Sequence, residues 1–178
     1  DNSGAKELWR GPWAGISRTN WILTNIDKSP KISDAKKTQY KGEAHFLRGL
    51  YYFNLVRLFG DVPWIDKQQT ASDDLQVSRT SKDIVYQHII DDFSDAASML
   101  PAVYENTTDI GRATKGAAFG LLAKVYLTLK RYNETLVAID SVMNLGVYSL
   151  NRKYEWNFSD LRENGPESLF EVQYEKDV

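Results

Sequence analysis

The strongest constraint on the fold is the pattern of apolar residues between residues 33 and 59. Two adjacent stripes at helical spacing run through this segment: Ala44, Leu47, Tyr51, Leu55 and Leu58 in one, and Phe46, Leu50 and Phe53 in the other. Because both stripes need cover, the pattern predicts a long helix packed on at least two partners. We expect one partner from residues 13–26 and the other from residues 117–129. Gly60 then ends the helix, and Pro63 blocks its continuation.

The same periodicity predicts four further helices, at about residues 13–27, 80–100, 114–129 and 134–145. The first should start at Pro12 or Trp13, because proline is tolerated only in the first helical turn. The helix at residues 80–100 should start at Thr80, because Thr80 and Asp83 fit a capping pattern. Residues 64–78 are predicted to form a long loop, and residues 168–174 have the pattern of a short strand.

These elements predict an all-α chain of antiparallel helix pairs, with a short strand near the C-terminus. Residues 117–145 have the length of one tetratricopeptide-like helix–turn–helix repeat, and their small residues would let two helices approach closely. The length of 178 residues is that of one domain, so we expect residues 1–178 to form a single domain or a fragment of a longer protein.

Composition excludes several classes of protein. The chain has no cysteine, which excludes disulfides, thiolate metal sites and cysteine nucleophiles. Its 22 Lys and Arg and 24 Asp and Glu are dispersed and leave a net charge of −2, so no patch for nucleic acid is expected. No run of about 18 apolar residues is present, so the sequence predicts no membrane-spanning helix.

The sequence contains no recognisable catalytic constellation. Asp73-Asp74 and Asp91-Asp92 are adjacent pairs, and adjacent residues on a helix point in different directions, so we interpret them as solvated surface charges. The two histidines, His45 and His88, lie on different helices without zinc-ligand spacing. We therefore predict no enzymatic activity, no metal site and no cofactor.

Four polar residues lie within or beside apolar stripes: Asn20, Glu43, Arg48 and Arg112. Asn20 is predicted to hydrogen-bond to the backbone rather than to a ligand, because a buried amide needs a partner. For the three charged residues, pairing between helices is favoured over ligand contact, because an unpaired buried charge costs several kcal/mol.

Two tryptophans outside the predicted helices, Trp64 and Trp156, are the remaining candidates for a binding surface. Sugars bind proteins by laying their C–H faces on tryptophan or tyrosine rings. Packing is the favoured interpretation for both residues, with a sugar platform as the alternative. The sequence assigns no ligand-binding residue.

Four ordered blocks of sequence carry a resemblance to a known family. Residues 42–63 read GEAHFLRGLYYFNLVRLFGDVP, residues 13–20 form the preceding helix motif with its Asn, residues 111–127 read GRATKGAAFGLLAKVYL, and residues 167–174 read ESLFEVQY. The sequence resembles the SusD/RagB-like proteins over nearly its whole length.

The resemblance implies an outer-membrane, surface-exposed lipoprotein of Bacteroidetes-type bacteria. Such proteins capture glycan, or in some members peptide, for import through a TonB-dependent, SusC-like transporter. The family starts with a lipidated cysteine and continues beyond the ESLF block, so this chain is expected to be an internal scaffold fragment with its lipid anchor elsewhere. The alternative is a general tetratricopeptide-like scaffold that docks protein partners.

Overall fold

A computed structural model describes residues 3–70, 72–73 and 76–173, the side chains of Ser3 and Asp160 excepted. Within these residues the chain forms five α helices: α1 (Ser3–Asn25), α2 (Asp34–Phe59), α3 (Lys82–Met99), α4 (Lys115–Thr128) and α5 (Tyr132–Met143). Four short 3₁₀ helices lie between and after them: Ile26–Lys28, Thr107–Asp109, Tyr154–Phe158 and Asp160–Arg162. The predicted all-α class is confirmed.

The chain divides into two compact units, Asp1–Met99 and Leu100–Val178. In the first unit α2 packs against α1 on one side and against α3 on the other, as its two apolar stripes require. The first of these partners was predicted. The prediction of the second was wrong, since α3 takes the place for which we expected residues 117–129, a segment of the other unit. That the whole chain is one domain stays a prediction.

The core of the first unit consists of aromatic and aliphatic side chains from α2 and α3. Phe46, Phe53 and Leu55 of α2 are fully buried, as are Ile89 and Phe93 of α3. Leu47, which we expected at the packed centre, is only half-buried. The first stripe of α2 is therefore centred on Ala44 and Leu55.

The start of α1 differs from the prediction. The helix runs from Ser3 and contains Pro12 in its interior. An interior proline removes a helical hydrogen bond and costs about 3 kcal/mol. Aromatic packing offsets this cost, because the ring centroid of Trp9 lies 5.4 Å from that of Trp13 and 5.0 Å from that of Phe59.

The helix ends follow local chemistry where the sequence shows it. Gly60 ends α2 with a φ of 69°, in the left-handed region that glycine favours, and its N–H donates to the carbonyl of Val56. Thr114 caps α4 by accepting from the N–H of Ala117 at 3.1 Å. At α3 the prediction was two residues early, since Thr80 pairs with Val62 in an isolated bridge and Asp61 accepts from the N–H of Lys82.

In the second unit α4 and α5 pack as a hairpin joined by the short turn at Leu129–Arg131. Small buried residues, among them Ala117, Ala118 and Ala138, allow the close approach that the repeat pattern predicted. The predicted strand is wrong for residues 168–173, which form no ladder in the described part of the chain. A strand needs a neighbouring strand to pair with its backbone, and these residues have none in the described part of the chain. Residue 174, the last of the predicted strand, lies outside the described residues.

Candidate functional site

A buried ion pair joins α2 to α3 in the first unit. Arg48 Nε donates to Asp92 Oδ2 at 2.9 Å and Nη2 donates to Oδ1 at 2.7 Å, a two-point contact. Arg48 is 8% exposed and Asp92 is 2% exposed. Burial lowers the pKa of Arg48, but the hydrogen bond and the charge of Asp92 outweigh burial and raise it. The predicted pairing of Arg48 between helices is thus confirmed.

The interpretation of Asp92 as a solvated charge was wrong. Asp92 lies among Val85, Ile89 and Ala96 on the buried face of α3, and His45 Nδ1 lies 2.7 Å from its Oδ1. The spacing of this stripe would have shown that Asp92 faces inward. Its neighbour Asp91 is exposed and accepts from Gln87, Asp73 accepts from Thr70 in the loop, and Asp74 lies outside the described residues.

Polar side chains of α1 and α2, including Arg48 of the ion pair, also hold the loop that connects α2 to α3. Asn20 is fully buried; its Nδ2 donates to the carbonyl of Ile65 at 2.8 Å, as predicted for a backbone partner, and its Oδ1 accepts from Arg48 at 3.0 Å. The hydroxyl of Tyr52 accepts from the N–H of Ile65 at 2.8 Å. Arg48 also donates to the carbonyl of Asp66 at 3.1 Å. These side chains fix the backbone of the loop at Ile65 and Asp66.

Trp64 contributes its ring to this packing. The indole stacks on His88 at a centroid distance of 4.4 Å and an interplanar angle of 12°. The ring centroid of Tyr52 lies 4.2 Å from that of the indole. This geometry favours the packing interpretation of Trp64 over a sugar platform. It also places the imidazole of His88 against the indole of Trp64. Within the described residues, no group of three or more acidic and histidine side chains could hold a metal ion.

The other singled-out residues make local contacts. Glu43 accepts from Gln39 Nε2 at 2.8 Å on the same helix. Arg112 Nε donates to Asp109 Oδ1 at 2.8 Å, so this ion pair lies within one loop rather than between two helices. The guanidinium of Arg162 lies 3.8 Å from the ring centroid of Trp156 and covers part of that indole.

The second unit contains a cleft that the sequence analysis missed. Two segments that lie outside the α helices, residues 102–114 and 147–171, line a cleft with a volume of about 240 Å³, which we call the loop cleft. Its walls combine aromatic rings with groups able to hydrogen-bond, including Tyr104, Tyr148, Phe170, Arg112 and Glu171. Sequence spacing does not predict this set, because its members lie tens of residues apart in irregular segments.

The walls of the loop cleft are tied together by hydrogen bonds. The hydroxyls of Thr114 and Tyr148 lie 2.9 Å apart, and the N–H of Ser149 donates to the carbonyl of Pro166 at 2.9 Å. Glu171 Oε2 accepts from the N–H of Asn164 at 3.0 Å. These bonds hold the aromatic rings and polar groups of the cleft in fixed positions before any ligand is present, which favours binding.

Comparison with known proteins identifies the family. Residues 1–127 match the sequence profile of a SusD-like family described as starch-binding and associating with the outer membrane. The chain belongs to the SusD-like family. Members of this family are carbohydrate-binding proteins and not enzymes, in agreement with the prediction of a non-catalytic chain.

Curated SusD-like relatives align along most of the chain. SusD-like protein P25 of Formosa agariphila is 26% identical over 97% of this chain and 32% of its own length. The starch-binding protein SusD of Bacteroides thetaiotaomicron is 26% identical over 74% of this chain and 25% of its own length. The chain therefore spans about a third of the length of the first of these relatives and a quarter of the second.

Solved SusD-like structures have the same fold. A SusD-like protein of Bacteroides fragilis superposes with a TM-score of 0.88 at 32% identity, over 97% of this chain and 34% of that one. A laminarin-binding SusD-like protein superposes with a TM-score of 0.84 at 28% identity, over 92% of this chain and 36% of that one.

In the described residues, no helix is both long enough and apolar enough to cross a membrane.

Proposed function

We propose that the protein captures glycan at the bacterial outer membrane and passes it to a TonB-dependent transporter. The observation that carries this proposal is the match of residues 1–127 to a family described as starch-binding and associating with the outer membrane. A laminarin-binding protein among the structural relatives supports the same ligand class. In this proposal the polypeptide is surface-exposed and is held at the membrane by a lipid anchor outside the 178 residues.

The geometry of the chain supports a binding role. Helices α1 to α3 and the loop after α2 form a scaffold in which the Arg48–Asp92 ion pair and the stack of Trp64 on His88 are used for packing. The loop cleft adds aromatic rings and polar groups that could contact the faces and hydroxyls of a sugar. Such a surface would bind a glycan and release it unchanged.

Glycan capture is tested by affinity electrophoresis of the purified chain in gels that contain laminarin or soluble starch. We expect retarded migration in at least one glucan gel and no release of reducing ends when the same polysaccharides are incubated with the protein. Migration unchanged in both gels would contradict glycan capture by this chain, and enzyme-dependent release of reducing ends would contradict a purely binding role.

Transfer to a transporter is tested separately in the source bacterium. Chemical cross-linking of intact cells, followed by purification of the protein, should recover a TonB-dependent outer-membrane transporter. External protease should also digest the protein on intact cells. Recovery without any transporter, or full protection from protease, would contradict the proposed partner or the proposed location.

A further inference from the structure

We propose that the loop cleft binds one uncharged sugar residue of a glucan chain, with Tyr148, Arg112 and Glu171 as its contacts. This inference rests on the proposed glycan-binding function and assigns it to a specific place in the second unit. Three features of the cleft support it: the rigidity of its wall, its apolar surface and the opposite charges of Arg112 and Glu171.

The rigidity comes from the way in which Tyr148 is held. Its ring lies so close to Gly116 of α4 that a Cβ at that position would collide with it. Its hydroxyl lies 2.9 Å from that of Thr114, the residue that caps α4. The ring is therefore fixed by a helix before any ligand arrives, which reduces the entropy lost on binding.

The apolar wall suits the face of a sugar ring. Tyr104, Tyr148 and Phe170 contribute aromatic rings, and Ile110 and Leu169 contribute aliphatic surface. Pyranose rings present C–H bonds on at least one face, and aromatic side chains bury such faces efficiently. A volume of about 240 Å³ lies below the roughly 300–1,000 Å³ typical of sites for drug-sized ligands, and this favours a single sugar residue.

The polar groups favour a ligand without net charge. Arg112 and Glu171 line the same cleft with opposite charges, and Arg112 is already paired with Asp109. A guanidinium carries five donors, and a carboxylate accepts on both oxygens, so together they offer donors and acceptors to sugar hydroxyls. The hydroxyl of Ser168, another residue of the lining, can both donate and accept a hydrogen bond. An anionic glycan would meet the carboxylate of Glu171 as a repulsive neighbour.

The test measures the dissociation constants of laminarin, soluble starch and the anionic glycan polygalacturonate for the full chain and four variants. Arg112→Ala should weaken glucan binding about tenfold, as expected for loss of a charged hydrogen-bond donor. Arg131→Ala is the matched control, because the two arginines are alike except in their place. The side chain of Arg131 is 41% exposed and that of Arg112 is 37% exposed, and each forms an i,i+3 ion pair, but Arg131 lies outside the cleft. The control should bind as the unmodified chain does.

The remaining two variants separate the ring of Tyr148 from its contribution to folding. Tyr148→Phe keeps the ring and should retain glucan binding. Tyr148→Leu should bind glucans about tenfold or more weakly, while its circular dichroism spectrum stays helical.

If all four variants bind glucans as the unmodified chain does, the loop cleft is not the site although glycan capture stands. If polygalacturonate binds more tightly than either glucan, the assignment to an uncharged sugar is wrong. If no glycan binds the unmodified chain, the proposed function fails as well.

Discussion

At the scale of single residues, the decisive feature is a charge that the fold buries. Asp92 receives two hydrogen bonds from Arg48 and lies 2.7 Å from His45, all within the interior of the first unit. A buried ion pair adds little net stability compared with apolar packing, but removal of one partner leaves the other charge without compensation. The pair therefore joins α2 to α3 at a point where neither partner can be removed without leaving a buried charge.

The first prediction compares two neighbouring aspartates. Asp92→Ala should lower the free energy of unfolding by about 3–5 kcal/mol, because it strands the guanidinium of Arg48 in the core. Asp91→Ala, one position along on the exposed side of α3, should change it by less than about 0.5 kcal/mol. Urea unfolding followed by circular dichroism measures both values. Equal effects would mean that Asp92 is solvated after all.

The second prediction concerns stability at alkaline pH. Burial raises the pKa of Tyr52 well above its ordinary value of 10.0, although its hydrogen bond to Ile65 and the charge of Arg48 oppose this; burial raises the pKa of Tyr86 as well. In the unfolded chain both phenols ionise near pH 10, whereas in the folded chain they ionise only at a higher pH. Their contribution is therefore complete below about pH 10 and is lost as the pH rises above it.

Tyr52→Phe isolates the contribution of one phenol. At neutral pH this variant should be less stable by about 1–2 kcal/mol, because the N–H of Ile65 loses its acceptor. Above about pH 10 its stability should fall less steeply than that of the unmodified chain. Unfolding curves between about pH 8 and about pH 11 measure the two slopes. Parallel slopes would show that Tyr52 ionises normally in the folded protein.

At the scale of elements, α2 is the central wall of the first unit. Its two apolar stripes face α1 and α3, and its ends are set by a serine cap at Ser33 and by Gly60. Leu58 is the exception: the sequence pattern placed it in the first stripe, but it lies on the exposed side of the helix and is 57% exposed. Two leucines three residues apart on one helix therefore have opposite environments.

The third prediction uses these two leucines. Leu55→Ala should cost about 2–5 kcal/mol, because Leu55 is fully buried and its truncation leaves a cavity. Leu58→Ala should change stability by less than about 1 kcal/mol. Leu58 is the suitable control on this helix, because Lys37, which a sequence reading would place on the surface, has a side chain that is only 16% exposed. Similar losses of melting temperature in both variants would show that α2 is not packed as described.

At the scale of the whole molecule, the chain consists of two compact units, each with its own packed helices. Unit Asp1–Met99 contains α1, α2 and α3 together with the polar cluster that holds the loop at Ile65. A unit with its own core can fold alone. This bears directly on whether residues 1–178 form a single domain.

The fourth prediction is that residues 1–99, produced alone, fold cooperatively. A thermal melt followed by circular dichroism should show one transition. Leu55→Ala should lower its midpoint by about 8 °C or more, since it costs about 2–5 kcal/mol and each kcal/mol shifts the midpoint of a small domain by roughly 4–8 °C. A non-cooperative melt, unchanged by Leu55→Ala, would support one indivisible domain over the whole chain.

The sequence by itself determined the features that depend on local periodicity and local capping. The repeat of apolar residues every three or four positions locates α2 to α5 to within a few residues, because only a helix aligns such positions on one face. Thr114 and Gly60 mark helix ends because their preferences act on the adjacent backbone. Four ordered blocks of sequence, at residues 13–20, 42–63, 111–127 and 167–174, indicated the family.

Tertiary structure decided everything that depends on a distant partner. The ring of Trp9 meets Phe59, and this contact lets α1 continue through Pro12. Residues 168–173 remain irregular because no neighbouring strand pairs with them in the described chain. Arg48 and Asp92 meet across 44 positions, and the loop cleft joins segments from both sides of the α4–α5 hairpin. Such contacts depend on how helices pack in space, and spacing along one helix carries no information about the residue on the next.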